Sequence, residues 1–167
     1  IKKLSQSPLV HGIVIQLPLP SHIDAQEVCD EIPIEKDVDV LSSISFGLFA
    51  LRNFPILPPT AGAVQALFSK HKISLKGKRV LLVGAGRLVG LPLAVWLLLQ
   101  KANFTIASTQ TKNMPALARE SDIIISGTGA RGLIVGSMVK KGSVVVDAGT
   151  SVEKGVTKGD VDIQSVS

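Results

Sequence analysis

Tyrosine is absent from these 167 residues, and cysteine and tryptophan occur once each. The single cysteine, Cys29, cannot close an internal disulfide and has no metal-ligand spacing around it. That excludes a disulfide-stapled secreted domain and makes a reducing cytoplasm the expected compartment, with Cys29 as a buried structural thiol. No apolar run approaches the ~20 residues needed to span a bilayer. The run at 91–99 is too short and contains Pro92, and no secretory signal is visible. The chain opens on Ile1 without an initiator methionine, so a fragment or a trimmed chain is expected. Aromatics make up only 4%, and acidic residues number 13 against 18 basic ones. The resulting charge of +5 is scattered over loops and helix ends with little aromatic interleaving, which argues against nucleic acid as a partner. An anionic small ligand would gain from the same field.

What the chain has is glycine in a telling place. The segment Lys78-Arg-Val-Leu-Leu-Val-Gly-Ala-Gly-Arg-Leu-Val-Gly-Leu-Pro92 runs from a continuous apolar strand through a glycine-spaced loop into an apolar helix. Gly84 lets the chain turn off the strand, Gly86 lets backbone approach a pyrophosphate, and Gly90 lets the helix pack close to the sheet. The helix N-terminus then offers unpaired N–H groups and a partial positive charge to an anion. The spacing Gly-x-Gly-x-x-x-Gly is not the commonest dinucleotide fingerprint. Its context, a strand before and a helix and second strand after, is what a βαβ nucleotide site requires. The candidate cofactor residues are Gly84, Ala85, Gly86, Arg87, Leu88, Val89 and Gly90, with Thr109 and Lys112 beyond the next strand.

Strands are expected at 12–17, 80–83, 105–107, 123–126 and 144–147, and the last four are nearly all apolar, as parallel strands covered on both faces should be. Helices are expected at 25–32, from an N-cap at Thr60 to about Lys72 with Val64, Leu67 and Phe68 on one face, at 88–100, at 114–120, and as a short turn near 137–139. Residues 41–57 read as irregular and 152–167 as a polar tail or edge element. The fold class is α/β: a Rossmann-like doubly wound parallel sheet, with part of a smaller N-terminal α/β catalytic domain. The expected divisions are 1–57, 58–151 and 152–167. His11, His22 and His71 each fit surface or capping roles better than catalysis, and no metal or Ser-His-Asp constellation follows from spacing.

Three segments, Gly12-Ile-Val-Ile-Gln-Leu-Pro-Leu-Pro20, Glu35-Lys-Asp-Val-Asp39 and the glycine loop ending Val89-Gly90-Leu91-Pro92, together resemble the bifunctional methylenetetrahydrofolate dehydrogenase/cyclohydrolase family. The stretches Ser121-Asp-Ile-Ile-Ile-Ser-Gly127, Met138-Val-Lys-Lys-Gly-Ser-Val-Val-Val-Asp147 and Gly159-Asp-Val-Asp162 fit as well. By itself, Gln16 is a strand-terminal amide whose backbone is fixed by neighbouring prolines, and facing solvent is the better reading of it without the resemblance. Asp37 and Asp39, two apart in an extended loop, are expected to point to opposite sides so that only one faces a ligand, and Asp39 is the choice, with an ordinary loop cap its equal on local chemistry alone. The resemblance implies that Gln16 lies in a folate cleft and tunes the reacting centre, that Asp39 meets the pterin, that Pro18 lines the same cleft, and that the chain pairs as a homodimer. It also implies oxidation of 5,10-methylenetetrahydrofolate with NAD(P) and hydrolysis of the methenyl product.

The chain departs from that pattern in several places. The family's catalytic lysine sits in a Tyr-x-x-x-Lys motif upstream of the Gln-Leu-Pro-Leu-Pro strand, and these residues contain neither the motif nor the C-terminal Pro-Gly-Gly-Val-Gly-Pro-Met-Thr segment. The resemblance is therefore to a family member truncated at both ends. Loss of a positioned acid-base group commonly costs roughly 100 to 10,000-fold, here in the cyclohydrolase step. Hydride transfer depends more on holding the reactants in place. Ala85 replaces the arginine of the Gly-Arg-Ser found in NADP users, with Arg87 two residues later. Ser108 to Lys112 lack the carboxylate of a strict NAD site, while Thr109 and Lys112 would tolerate a 2′-phosphate. The balance leans to NADP, with NAD as the alternative cofactor. Val40 stands where the family has glycine, and Ala61 and Ala63 where it has proline and glycine. The alternative to an enzyme is a catalytically silent dinucleotide-binding or interaction module derived from the family.

Overall fold

The computed structural model describes residues 1–153 and 155–167. The chain divides into two compact units, Ile1–Gly62 and Ala63–Ser167.

The first unit carries α1 (Lys2–Ser5), α2 (Ala25–Asp30) and α3 (Ser43–Ala50), with a 3-10 turn at Ile34–Lys36. Helix α2 starts where Asp24 accepts hydrogen bonds from the Gln26 and Glu27 amides at 2.7 and 3.1 Å, a carboxylate cap on the positive helix end. It stops two residues short of the expected end. The strand expected at 12–17 does not form: Ile13 alone bridges, in parallel, to Asp37, and its amide donates to Lys36 O at 2.8 Å. An extended segment becomes a strand only through a partner's ladder, and among the described residues only this one position supplies one. Helix α3 falls in the stretch read as irregular. Its apolar residues surround it on all sides, so no 3.6-residue period marks it; Ser42, accepting from the Ser45 amide at 3.2 Å, is its only local signal.

Helix α4 (Pro59–Lys70) begins in the first unit and continues into the second. Proline's fixed φ and missing N–H suit the first helical position, so the helix starts at Pro59 and Thr60 lies in its first turn, not at its cap. Ala61, Val64 and Phe68 are buried at helical spacing, whereas Leu67, expected on that face, is 44% exposed.

The second unit is built on β1 (Arg79–Val83), α5 (Gly90–Leu99), β2 (Asn103–Ala107), α6 (Met114–Glu120), β3 (Ile123–Ser126), a 3-10 turn at Gly136–Met138, and β4 (Val144–Asp147). The four strands are parallel in the order β2-β1-β3-β4. Alternation sends Leu81 and Val83 into a cluster with Ala118, Ile124 and Ile134, against which Met114 and Leu117 of α6 pack. Val80 and Leu82 therefore serve the opposite face, and α5 buries Leu93, Ala94, Trp96 and Leu97. Helix α4 joins it there: Phe68 and Trp96 meet edge to face at 6.0 Å, and Trp96 Nε1 donates to Gln65 Oε1 at 2.9 Å. Coverage of both faces holds for β3, which is wholly buried, and for β1 from Val80 on, but edge strand β2 buries only Ala107.

Strand β5 (Ser151–Glu153) pairs antiparallel with β6 (Val156–Lys158), and α7 (Ile163–Val166) follows. Val161 bridges in parallel to the fully buried Ile134, and Asp160 between them is also fully buried.

At the N-terminal end of the sheet, Asp122 accepts from Lys140 Nζ at 2.7 Å and from the Arg79 amide at 2.8 Å. The Lys140 hydrogen bond, then the Arg79 amide, hold its carboxyl down at about 2. Because the folded pKa is depressed, this stabilisation is present above the unfolded value of about 3.9 and lost as pH falls toward the folded one. Asp122→Asn is expected to lower the melting temperature at neutral pH and to match the wild type near pH ~2, read by circular dichroism melts. Equal melts at neutral pH would contradict this.

Candidate functional site

Strand β1 delivers the chain to Gly84, whose φ of +102° lies in the region that favours glycine. Its amide donates to Ala107 O at 2.8 Å, and the Gly127 amide donates to Val83 O at 2.9 Å, so β1, β2 and β3 end at one level. A Cβ on Gly84 would lie 2.6 Å from Gly127 O and 3.1 Å from Thr128 Cγ2. One on Gly90 would strike Gly84 O and lie 2.6 Å from Ala85 Cα. Packing within the protein thus demands both glycines. Gly86 differs: a Cβ there would meet nothing within 4 Å, so the space beside it is open.

Arg87, Leu88 and Val89 make the turn into α5, and Val89 gives no side-chain cap. The first turn has fewer donors to offer than the sequence predicts. The Leu91 amide is taken by Gly86 O at 2.9 Å, and Pro92 has no N–H. Attraction of an anion rests on the helix dipole and on the loop's own amides.

The chain leaves β1 for β2 on one side, and the sheet continues through β3 on the other. A switch of this kind marks where open α/β sheets bind ligands, outside the carboxyl ends of the strands, and here it sets the 84–90 loop beside the 126–129 loop, with Gly127 packed on the Val89 side chain. Past the end of β2, Thr109 and Lys112 are exposed on a loop closed by Ser108 N to Thr111 Oγ1 and Thr111 N to Ser108 O, both 2.9 Å. No carboxylate stands among residues 108–112. The 126–129 loop was not singled out from the sequence, although Gly127 and Gly129 directly after an apolar strand were a usable signal.

In the first unit, Gln16 is exposed and its amide nitrogen donates to Leu17 O at 3.0 Å, while Pro18 follows a cis peptide. The bridge from Ile13 to Asp37 runs parallel, so Gln16 and Asp39 both lie downstream of it. The two aspartates separate, but through a turn at 38–39 and not through extended alternation, which would put residues two apart on one face. Asp37 is buried and accepts from the Leu41 and Ser42 amides at 3.1 and 2.9 Å. Burial pushes its carboxyl up, but hydrogen bonds from Ser42, Leu41 and Ser45 outweigh that and leave it below the usual value. Asp39 is half-buried and accepts no hydrogen bond among the described residues; burial, and secondarily the Asp37 charge, raise its carboxyl above the ordinary 3.8. Val40, next to it, is buried with φ +57°, a conformation a β-branched residue adopts only under constraint.

Four parallel strands with helices against both faces, and a glycine loop at the switch point, define a Rossmann-like α/β protein. Residues 58–167 match the family model described as "Tetrahydrofolate dehydrogenase/cyclohydrolase, NAD(P)-binding domain", and residues 1–39 match "Tetrahydrofolate dehydrogenase/cyclohydrolase, catalytic domain". The chain belongs to the tetrahydrofolate dehydrogenase/cyclohydrolase family.

It is similar to the "Bifunctional protein FolD" of Lactobacillus acidophilus, with 43% identity over 99% of this chain and 59% of that protein. The protein of the same description from Moorella thermoacetica is 39% identical over all of this chain and 60% of its own length. Among solved structures, the bifunctional FolD enzyme of Campylobacter jejuni superposes with a TM-score of 0.91 at 36% identity, over 99% of this chain and 59% of that one. The Trypanosoma brucei methylenetetrahydrofolate dehydrogenase-cyclohydrolase, complexed with NADP cofactor and inhibitor, gives 0.91 at 35% identity with the same coverage. The chain thus spans about three fifths of the length of these relatives. Among the described residues, no helix is long and apolar enough to cross a membrane.

Proposed function

We propose that this chain forms the NADP-binding part and a portion of the folate-binding part of a cytoplasmic, homodimeric 5,10-methylenetetrahydrofolate dehydrogenase/methenyltetrahydrofolate cyclohydrolase. One observation carries the reading: of the three glycines in the switch-point loop, the protein's own packing requires Gly84 and Gly90, while Gly86 faces open space. A backbone kept bare where the protein does not need it bare fits a ligand that approaches closely.

In this reading residues 84–90 cradle the pyrophosphate, with Gly86 at closest approach and Arg87, Leu88 and Val89 setting the entry to α5. Thr109 and Lys112 receive the 2′-phosphate of NADP, and the absence of a carboxylate after β2 disfavours a strict NAD site. Bound NADP supplies the hydride acceptor. On the folate side, Asp39 has the unspent acceptors to take paired N–H bonds from a pterin, whereas Asp37 spends its own on the loop. Gln16 and Pro18 shape the cleft around the reacting carbon. The exposed β2 edge, with Thr105 and Ile106 outward, supports pairing with a second copy.

The test is NADPH formation from methylenetetrahydrofolate and NADP, followed by absorbance. Asp39→Ala and Gln16→Ala are each expected to lower the rate by about 100-fold with unchanged melting temperature. Because Asp39 is raised above 3.8, folate binding should weaken on acidification before an ordinary aspartate would protonate. A rate indifferent to both substitutions would contradict the proposal.

A further inference from the structure

Asp160 is fully buried, and none of its side-chain hydrogen bonds among the described residues goes to the glycine loop. Its Oδ2 accepts three hydrogen bonds: from Ser126 Oγ at 2.7 Å, from the Thr128 amide at 2.7 Å and from Thr128 Oγ1 at 2.8 Å. Its Oδ1 is buried without a hydrogen-bond partner among the described residues, and the bare Cα of Gly149 leaves the room it occupies. The segment around it is fastened in turn by Asp147, at the end of β4, which accepts from the Asp160 and Val161 amides at 3.0 Å each. Two carboxylates in relay thus tie the strand ends to residues 160–161. A buried carboxylate with one oxygen orphaned is costly, and such local violations concentrate where function requires them.

Resting on the dinucleotide reading above, we propose that Asp160 is a positioning residue for the nicotinamide half of the cofactor, acting through Thr128. The adenosine half lies over the end of β2, and the pyrophosphate over the β1 loop. The other half must therefore cross toward β3 and β4, onto the 126–129 and 147–150 loops. Thr128 is also the side chain nearest Gly84, at 3.1 Å from where a Cβ would sit, so the depth of its loop sets the floor beside the glycine loop. Asp160 fixes that depth by holding both the amide and the hydroxyl of Thr128. An ionised carboxylate accepts all three donors at one oxygen, which an amide does less strongly.

The experiment compares dissociation constants of NADP and of adenosine 2′,5′-bisphosphate, which lacks the nicotinamide half, for the whole chain and its variants. Asp160→Asn is expected to weaken NADP about tenfold or more and to leave the bisphosphate within about twofold. Ser126→Ala removes a bond to the same oxygen from the strand, not the loop, and should lower the melting temperature without changing the ratio of the two constants. Should Asp160→Asn fail to fold, Thr128→Val, which deletes one loop bond, should shift the ratio in the same direction. Equal weakening of both ligands, or of neither, overturns the positioning role while leaving the dinucleotide site standing. A wild-type chain that binds neither ligand overturns that site and this role with it.

Discussion

Gly90→Ala is expected to destabilise the second unit by about 3 kcal/mol and to abolish dinucleotide binding. The added methyl would strike Gly84 O and crowd Ala85 Cα and Gly84 C, at 2.6 and 2.7 Å. All three are backbone atoms, so no rotamer change relieves the clash; either α5 moves off β1 or the 84–86 turn opens. Both outcomes displace the loop proposed to cradle the pyrophosphate. Gly86→Ala is the informative contrast. Nothing within 4 Å opposes its methyl and its φ is not left-handed, so the variant should fold as the wild type does. Denaturant unfolding separates the two, and a Gly90→Ala chain with wild-type stability would refute the close-packing account.

The second large effect is expected at Trp96. Its ring is 3% exposed and meets Phe68 edge to face, and its Nε1 donates to Gln65. Gln65 is exposed, so losing that bond returns its carbonyl to water at little cost. Burial and the cavity dominate: Trp96→Ala should cost about 3–5 kcal/mol, and Trp96→Phe far less because most of the ring volume remains. Trp96 is the only tryptophan and there is no tyrosine, so intrinsic fluorescence reports this contact alone in the wild type, and circular dichroism must follow the alanine variant. A loss below about 1 kcal/mol would mean that α4 does not hold α5 as described.

The parallel sheet was legible because β1, β3 and β4 are short runs of Val, Ile and Leu alternating with helices, although cover on both faces holds for β1 and β3 and not for β4, which stays partly exposed. The aspartate pair was not legible from spacing, because residues two apart in extended chain share a face; Asp37 and Asp39 separate because the chain turns at 38–39, which buries Asp37 on the Leu41 and Ser42 amides and leaves Asp39 half-buried. What failed depends in part on partners distant in sequence and in part on weak or competing local signals. The segment at 12–17 carries strand composition but finds a ladder partner only at Asp37. Helix α3 lacks the period that would announce it, and at Pro58-Pro59-Thr60 the preference of proline for the first helical position outweighed the capping preference of threonine. Asp160 lies in the Gly159-Asp-Val-Asp162 stretch that fits the resemblance, but nothing local gives it a role, since its donors lie 32 and 34 residues away.

The central claim is that the glycine loop binds NADP through backbone approached closely at Gly86. Calorimetric titration of the wild-type and Gly86→Ala chains with NADP tests it most directly. The account predicts saturable binding by the wild type and, at an unchanged melting temperature, affinity lower by about tenfold or more in the variant, where the methyl holds the pyrophosphate off the loop. A wild-type chain that takes up no NADP, or a variant that binds it as tightly, would contradict the account.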